Sequence, residues 1–423
     1  MNLKIRSISL FITLLAAFAV NSPAYSADTT RTHDGWTIGA VPSLGYNSDK
    51  GIEYGATADF YNFGDGSRYP NYEQMFRLSF GHTTRASQTV TAFMDLPEFG
   101  ESGLRLTGFI GYETDMLQPF YGMNGYGSPY RPAVEISTPD DPRYDADEYI
   151  SRLYYTYDRT MWRLTADLQG DLIGNWRWIS GIGLLDIEIR QTRTHQFDAD
   201  LPNRTLYSDL RNVNLIPQEE ANGGKARYLK GGFVYDSRDA DMAPESGVWS
   251  EAFVTHFMNT LGSEETYTIA SITHRQYFPV IPEQLTIATR VKYQGNIHGE
   301  TPFYVLPVLF SSYRIREGLG GSQTIRGVQQ NRVVGQSLGL VNLESRYKFY
   351  HRQLLDYDIT FTLNGFYDTG RVLSSEEDNL HHGVGAGLSV IINRNFITTL
   401  DVAKSLHPRD GRGGIYIHSG YLY

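Results

Sequence analysis

Segments of about ten residues in which apolar and polar side chains alternate recur along this 423-residue chain, separated by turn residues. In 284–294, Leu285, Ile287, Thr289, Val291 and Tyr293 share one face, and Gln284, Thr286, Arg290, Lys292 and Gln294 the other. The stretch 358–368 sets Ile359, Phe361, Leu363 and Tyr367 against Asp358, Thr360, Thr362, Asn364 and Asp368. In 339–349, Val341, Leu343, Tyr347 and Phe349 oppose Asn342, Glu344, Arg346 and Lys348. Successive side chains of a strand point to opposite faces, so each segment reads as a strand with one apolar and one charged face. A water-soluble sandwich alternates too, with its apolar face inward. Strands this long, numerous and rich in Tyr (30) and Phe (21) fit the reverse arrangement. There, apolar side chains meet lipid and polar ones line a wet lumen. A mean hydropathy of −0.36 accords with this, because only half of each strand faces lipid.

The alternation predicts strands at 35–46, 51–61, 72–81, 87–96, 102–112, 152–171, 176–190, 227–236, 246–258, 266–277, 283–295, 336–349, 354–368, 382–392, 395–404 and 412–423. The region 148–171 could be divided in two, making seventeen. In bacterial barrels, however, short periplasmic turns alternate with longer outer loops. Long connections at 113–151, 191–226, 296–335 and 369–381 alternate with short ones at 172–175, 237–245, 350–353 and 393–394 only if 152–171 is one strand. The reading is therefore an all-β, antiparallel transmembrane barrel of sixteen strands with both termini in the periplasm. Its last strand alternates through Ile415, Ile417, Tyr421 and Tyr423.

Upstream, Lys4 and Arg6 precede the apolar stretch 10–20, and Ala24-Tyr25-Ser26 supplies small residues for cleavage before Ala27. This predicts a signal peptide over 1–26 and a short periplasmic segment at 27–34, with the barrel occupying 35–423. No later window approaches a membrane-spanning helix. With 37 basic against 47 acidic residues and no basic block, nucleic-acid binding is disfavoured. Zero Cys excludes disulfide scaffolds and thiolate metal sites.

Three stretches are more specific. Gly320-Gly321-Ser322-Gln323-Thr324-Ile325-Arg326-Gly327 lies in the long connection before the strand containing Glu344. Phe366-Tyr367-Asp368-Thr369-Gly370 closes a later strand. Gly232-Phe233-Val234-Tyr235-Asp236-Ser237-Arg238-Asp239, then Pro244-Glu245-Ser246-Gly247, joins two strands through a short turn. Together they resemble the bacterial surface antigen family, the barrel half of the outer-membrane insertase and two-partner-secretion superfamily. The resemblance runs from about residue 35 to the end and is strongest over 227–423.

The resemblance implies that the loop 296–335 folds back into the lumen and that its Arg326 pairs with Asp368 and Glu344. Gly327 and Gly370 stand at the same motif positions. The alternation independently puts Asp368 and Glu344 on the polar face. A guanidinium is permanently charged and presents a planar fork to a carboxylate, and Gly327 lets the loop pass close to the wall. Members that insert or secrete other proteins carry polypeptide-transport-associated (POTRA) domains before the barrel, and this sequence shows none. Asp236, Arg238, Pro244 and Gly247 read as a structural turn.

Other signals are bland. His381-His382 lack a third ligand at metal spacing, and the Gly-rich stretches 318–321 and 383–387 lead into no helix, as a phosphate loop would. Asp140, Asp141, Asp145, Asp147 and Glu148 read as a solvated charge run in an outer loop. No cofactor, metal or catalytic constellation is expected, and the chain reads as a non-enzyme. Expected partners are outer-membrane lipid, lipopolysaccharide and an unidentified periplasmic partner or client. The function expected is insertion or translocation of a polypeptide or lipid; the alternative is a passive pore narrowed by 296–335.

Overall fold

The computed structural model describes residues 33–423 apart from 48–50, 85, 101, 124–129, 138, 313–314, 355–356, 378 and 412. The expected signal segment and nearly all of 27–34 lie outside the described residues. Sixteen strands form one antiparallel sheet. Its first eight are β1 (Trp36–Asn47), β2 (Gly51–Asn62), β3 (Gln74–Thr83), β4 (Ser87–Leu96), β5 (Leu104–Pro119), β6 (Thr156–Ile173), β7 (Trp176–Arg190) and β8 (Gly223–Asp236). The second eight are β9 (Gly247–Phe257), β10 (Tyr267–Ile281), β11 (Leu285–His298), β14 (Ser337–Leu354), β15 (Tyr357–Val372), β16 (His381–Ile392), β17 (Phe396–Ser405) and β18 (Gly414–Ser419). A separate two-stranded ladder of β12 (Val308–Leu309) and β13 (Arg316–Glu317) sits within the connection from β11 to β14. Each sheet neighbour is the next strand in sequence once that ladder is set aside, and the meander curls into a nearly closed barrel.

Strand number, order and pairing agree with the alternation; several boundaries do not. Within 148–171 a single strand forms, β6, which starts only at Thr156, later than the expected 152, and runs on to Ile173. β14 continues to Leu354 through a register shift between Lys348 and Tyr350, a local irregularity that alternation alone does not foresee.

Exposure follows the parity. Val291, Leu343 and Leu363 are 48%, 45% and 53% exposed, whereas their sequence neighbours Arg290, Glu344 and Asn364 are buried. Trp162, Ile182, Phe233, Val254 and Ile272 continue the apolar exterior. An apolar surface of this extent calls for a non-aqueous surrounding, and strands of 10 residues or more in β1–β11 suffice to cross a bilayer. No described helix is long and apolar enough to do so.

Long connections leave one end of the barrel (120–155, 191–222, 299–336) and short ones the other (174–175, 282–284, 393–395). At the long-loop end, Phe120, Tyr121, Tyr130, Tyr154, Tyr155 and Tyr207 pack together, with Tyr207 on the single α-helix of the described residues, α1 (Leu206–Asn212), capped by Thr205. At the short end the connection 237–246 reaches across the mouth. Asp241 N donates to Asn71 Oδ1 at 3.3 Å in the β2–β3 connection, and Glu245 pairs with Lys348 of β14.

The expected final strand 412–423 is corrected by the structure. β18 ends at Ser419, and Gly420 takes φ +85°, a left-handed value that breaks the strand. Leu422 and Tyr423 are buried inside the barrel. The Tyr423 hydroxyl donates to the Ala288 carbonyl of β11 at 2.9 Å, and Arg346 of β14 donates to the Tyr423 carbonyl at 2.7 Å. Cations on the inner wall explain the direction: Arg346 lies 3.8 Å from the Tyr421 ring centre and Arg290 5.1 Å from that of Tyr423. No ladder joins β1 to β18 among the described residues. Side chains nonetheless reach across, with Arg77 of β3 donating to Ser419 Oγ at 3.0 Å while holding Asp59 of β2. Tyr423→Ala is expected to cost about 3 kcal/mol, the scale for truncating a buried aromatic. This is read as a lowered heat-modification midpoint in gel migration; an unchanged midpoint would place the tail outside the packed interior.

Candidate functional site

Three acids from separate strands converge on the inner wall, and register places them. On β14 and β15, Asn342 lies opposite Asp368 and Glu344 opposite Phe366, all on the polar face. Asp368 in turn lies opposite Gly383 of β16, and Asp401 of β17 opposite Gly387. Because Gly383 has no side chain, the wall is recessed between Asp368 and β17.

The 299–336 connection brings Arg326 into this recess. Its Nε and Nη2 donate to Asp368 at 2.8 and 3.1 Å, a bidentate pair, and its backbone N–H donates to the same carboxylate at 3.1 Å. Nη1 donates to Glu344 at 2.8 Å and to Asp401 at 3.1 Å. The guanidinium carbon lies 3.4 Å from the centre of the Phe366 ring. Arg326 is 1% exposed. Burial works against its charge, but Glu344, Asp368 and Asp401 outweigh that and hold the guanidinium well above its ordinary range.

The acids have further donors. Arg346 Nε reaches Glu344 at 2.8 Å, Asn342 Nδ2 reaches Asp368 at 2.8 Å, and His418 Nε2 lies 3.1 Å from Asp401. Arg290 joins through Asn342 Oδ1 at 2.8 Å. The result is a connected polar network in a low-dielectric setting, in which loss of one member leaves the others uncompensated.

The loop backbone lies against the wall. Gly327 has φ +94°, and a Cβ there would stand 2.6 Å from the Lys404 backbone carbon. Its N–H donates to the Tyr416 hydroxyl at 3.1 Å. A Cβ on Gly370 would lie 2.7 Å from the Gly339 carbonyl oxygen and 3.1 Å from Ile325 Cδ1. Thr324 shapes the approach by accepting from Gly320 N at 2.9 Å and donating to the Gly318 carbonyl at 2.8 Å. The first half of the same connection, Thr301–Ser312, is buried against the opposite wall. There Lys230 donates to the Ser311 carbonyl at 3.1 Å, Gln294 to that of Val308 at 2.8 Å, and Ser312 N to Glu251 at 3.0 Å.

Arg326, Glu344 and Asp368, named from the sequence, thus stand together, with Gly327 and Gly370 at their margins. Sequence reasoning missed Asp401, Phe366, Tyr416 and Gly383. Asp401 and Phe366 had a signal, since both lie on the polar-face parity of expected strands. Gly383 had been read only as part of a Gly-rich stretch.

Asp236, Arg238, Pro244 and Gly247 lie apart from this cluster, in and beside the 237–246 turn. Arg238 donates to Asp236 at 2.9 and 3.0 Å and to the Asp241 carbonyl at 3.0 Å, and its guanidinium lies 4.4 Å from the Trp249 ring centre. Gly247 has φ +94° with the Ser237 carbonyl oxygen 2.2 Å from a notional Cβ. His381 lies 2.9 Å from Asp410, His382 2.7 Å from the Tyr367 hydroxyl, and Asp141 takes Arg143 at 2.8 Å. Among the described residues no group of three or more His, Asp or Glu is placed to hold a metal.

An apolar exterior, a charged interior and an arginine-laden connection tied to the wall define an integral β-barrel of the bacterial outer membrane. The chain belongs to the Omp85 superfamily: the profile of the Omp85 superfamily domain matches residues 72–416. Among solved structures, BamA from Haemophilus ducreyi lacking POTRA domains 1–3 is similar at 16% identity and a TM-score of 0.50, over 98% of this chain and 77% of that one. CdiB from Escherichia coli is similar at 13% identity and 0.53, over 90% of this chain and 61% of that one, so this chain spans less than two thirds of CdiB. At such identities the likeness is one of fold. No curated protein matches the chain.

Proposed function

We propose that this barrel assists insertion or translocation of a polypeptide or lipid at the outer membrane, after export directed by residues 1–26. In this reading the short-turn end faces the periplasm, where a partner or client is met, and lipid and lipopolysaccharide surround the barrel. The 299–336 connection is a lumen loop and Arg326 its clasp. The observation that carries the reading is the grip of Arg326 on carboxylates from β14, β15 and β17 at once. One buried cation thereby fixes a connection of 38 residues whose ordering entropy is otherwise large. Further support comes from the seam: among the described residues no ladder joins β1 to β18, side-chain bonds to Ser419 come from Arg77 of β3 and Asp59 of β2, and the chain end turns inward beside it. A barrel that admits a client laterally needs one weakly paired edge.

Planar-bilayer recordings test this. The parent is expected to conduct little, because the loop occupies the lumen, and Arg326→Ala is expected to open frequent large conductance steps. Large, steady conductance in the parent, unchanged by Arg326→Ala, would favour the passive pore and reject the clasp.

A further inference from the structure

At the short-turn end, away from the Arg326 cluster, a cavity lies between the 237–246 connection, β9, β10 and the inward-turned tail, open on one side. Its polar groups are unbalanced. Tyr277, on the inner face of β10, is 3% exposed, and its hydroxyl makes no hydrogen bond. Two residues along the same face, Arg275 has its Nε buried without a hydrogen bond. No carboxylate of the described residues comes within ion-pair distance of Arg275; the Trp249 ring centre lies 5.7 Å from its guanidinium carbon.

Arg316 adds a third cation from the loop side, and its hydrogen bonds include those to the carbonyls of Gln323 at 3.1 Å and Leu422 at 2.5 Å. Asp241, an acid in the lining, is already shared between Arg238 at 3.4 Å and Arg105 at 3.7 Å. The Tyr277 hydroxyl and Arg275 Nε therefore stand as unmet donors in one place.

An unmet buried donor costs about 1–3 kcal/mol, and more when it is charged. Two such donors, one of them charged, fit an acceptor that is anionic and offers several oxygens. A carboxylate offers two in one plane. A phosphate offers them in a tetrahedron, which suits donors arriving from both β10 and the loop, and the arginine fork matches it. The rings of Trp249, Tyr421 and Tyr423 supply walls for an organic substituent on that phosphate.

We propose that this cavity is a phosphate-binding site in which Arg275, Arg316 and the Tyr277 hydroxyl hold the phosphate of a lipid headgroup or free inorganic phosphate.

Titration calorimetry on the full chain in a phosphate-free, non-ionic detergent tests it, with inorganic phosphate and dihexanoylphosphatidic acid as probes. Saturable binding of either probe is expected. Tighter binding of the phosphatidic acid assigns the lipid headgroup, and binding of inorganic phosphate alone assigns the free ion. Arg275→Gln is expected to weaken binding at least about tenfold, the scale of one charge-assisted hydrogen bond. Tyr277→Phe is expected to weaken it about tenfold, the low end for a hydrogen bond from a neutral donor to an ionised acceptor. Since that hydroxyl bonds nothing in the protein, Tyr277→Phe is expected to leave the phosphate-free thermal midpoint unchanged or raise it. Absence of saturable heat with both probes would overturn the proposal. So would parent-like binding by both variants.

Discussion

Arg326→Ala is expected to destabilise the barrel by about 3–5 kcal/mol, the scale for removing one partner from a buried ion cluster. Asp368 would lose two hydrogen bonds, keeping those from the backbone N–H of residue 326 and from Asn342, while Glu344 would keep Arg346 and Asp401 would keep His418. Three carboxylates would then share one arginine and one histidine in a buried pocket. Arg326→Lys restores the charge but cannot make the bidentate pair to Asp368 while also reaching Glu344 and Asp401, so an intermediate loss is expected. The midpoint of unfolding in detergent, followed by heat-modified gel migration, gives the measure. A midpoint within error of the parent for Arg326→Ala would mean that the cluster is solvated and the loop unanchored.

Gly383→Val should produce nearly the same phenotype with every charge in place. A Cβ at position 383 would lie 1.8 Å from the Arg326 carbonyl oxygen, far inside contact distance, and that neighbour is backbone. Either β16 shifts outward or the Arg326 segment lifts off the wall. The second is the easier movement, because β16 is bonded into the sheet on both sides through twelve pairs with β15 and ten with β17. Lifting separates the guanidinium from three carboxylates without altering any of them. The expected result is a loss of at least about 2 kcal/mol, the range for overpacking a tight interior, together with the conductance steps expected for Arg326→Ala. A stable, closed Gly383→Val barrel would contradict the contact.

Period-2 alternation made the wall legible because it depends only on parity. Val291 against Arg290, or Leu343 against Glu344, names the face of a strand whatever its ends are. Strand ends were less legible. Continuation of β14 past Lys348 depends on an irregularity set by the β15 partner, and the inward turn after Ser419 depends on one backbone angle at Gly420. Alternation through Tyr421 and Tyr423 looks like continued strand until that glycine is given its positive φ. The interior filling was illegible for another reason. The run Phe303–Phe310 is apolar on both parities, so no period assigns it to an inner wall. Asp401 was visible as a polar-face residue, but which loop cation would meet it depends on how β14 to β17 curve together, a property of the closed sheet and of no single strand.

The chain has no cysteine, so a single engineered thiol is a unique reporter of where the loop tip lies. Gln323 is exposed and adjoins the Arg326 segment, and Asp140, in the 120–155 connection, is exposed at the long-loop end. On intact cells, a polyethylene-glycol maleimide too large to enter the barrel is expected to modify Asp140→Cys quickly and Gln323→Cys hardly at all. Adding Arg326→Ala is expected to make Gln323→Cys reactive. Rapid modification of Gln323→Cys in an otherwise unaltered barrel would put the tip outside and contradict the account.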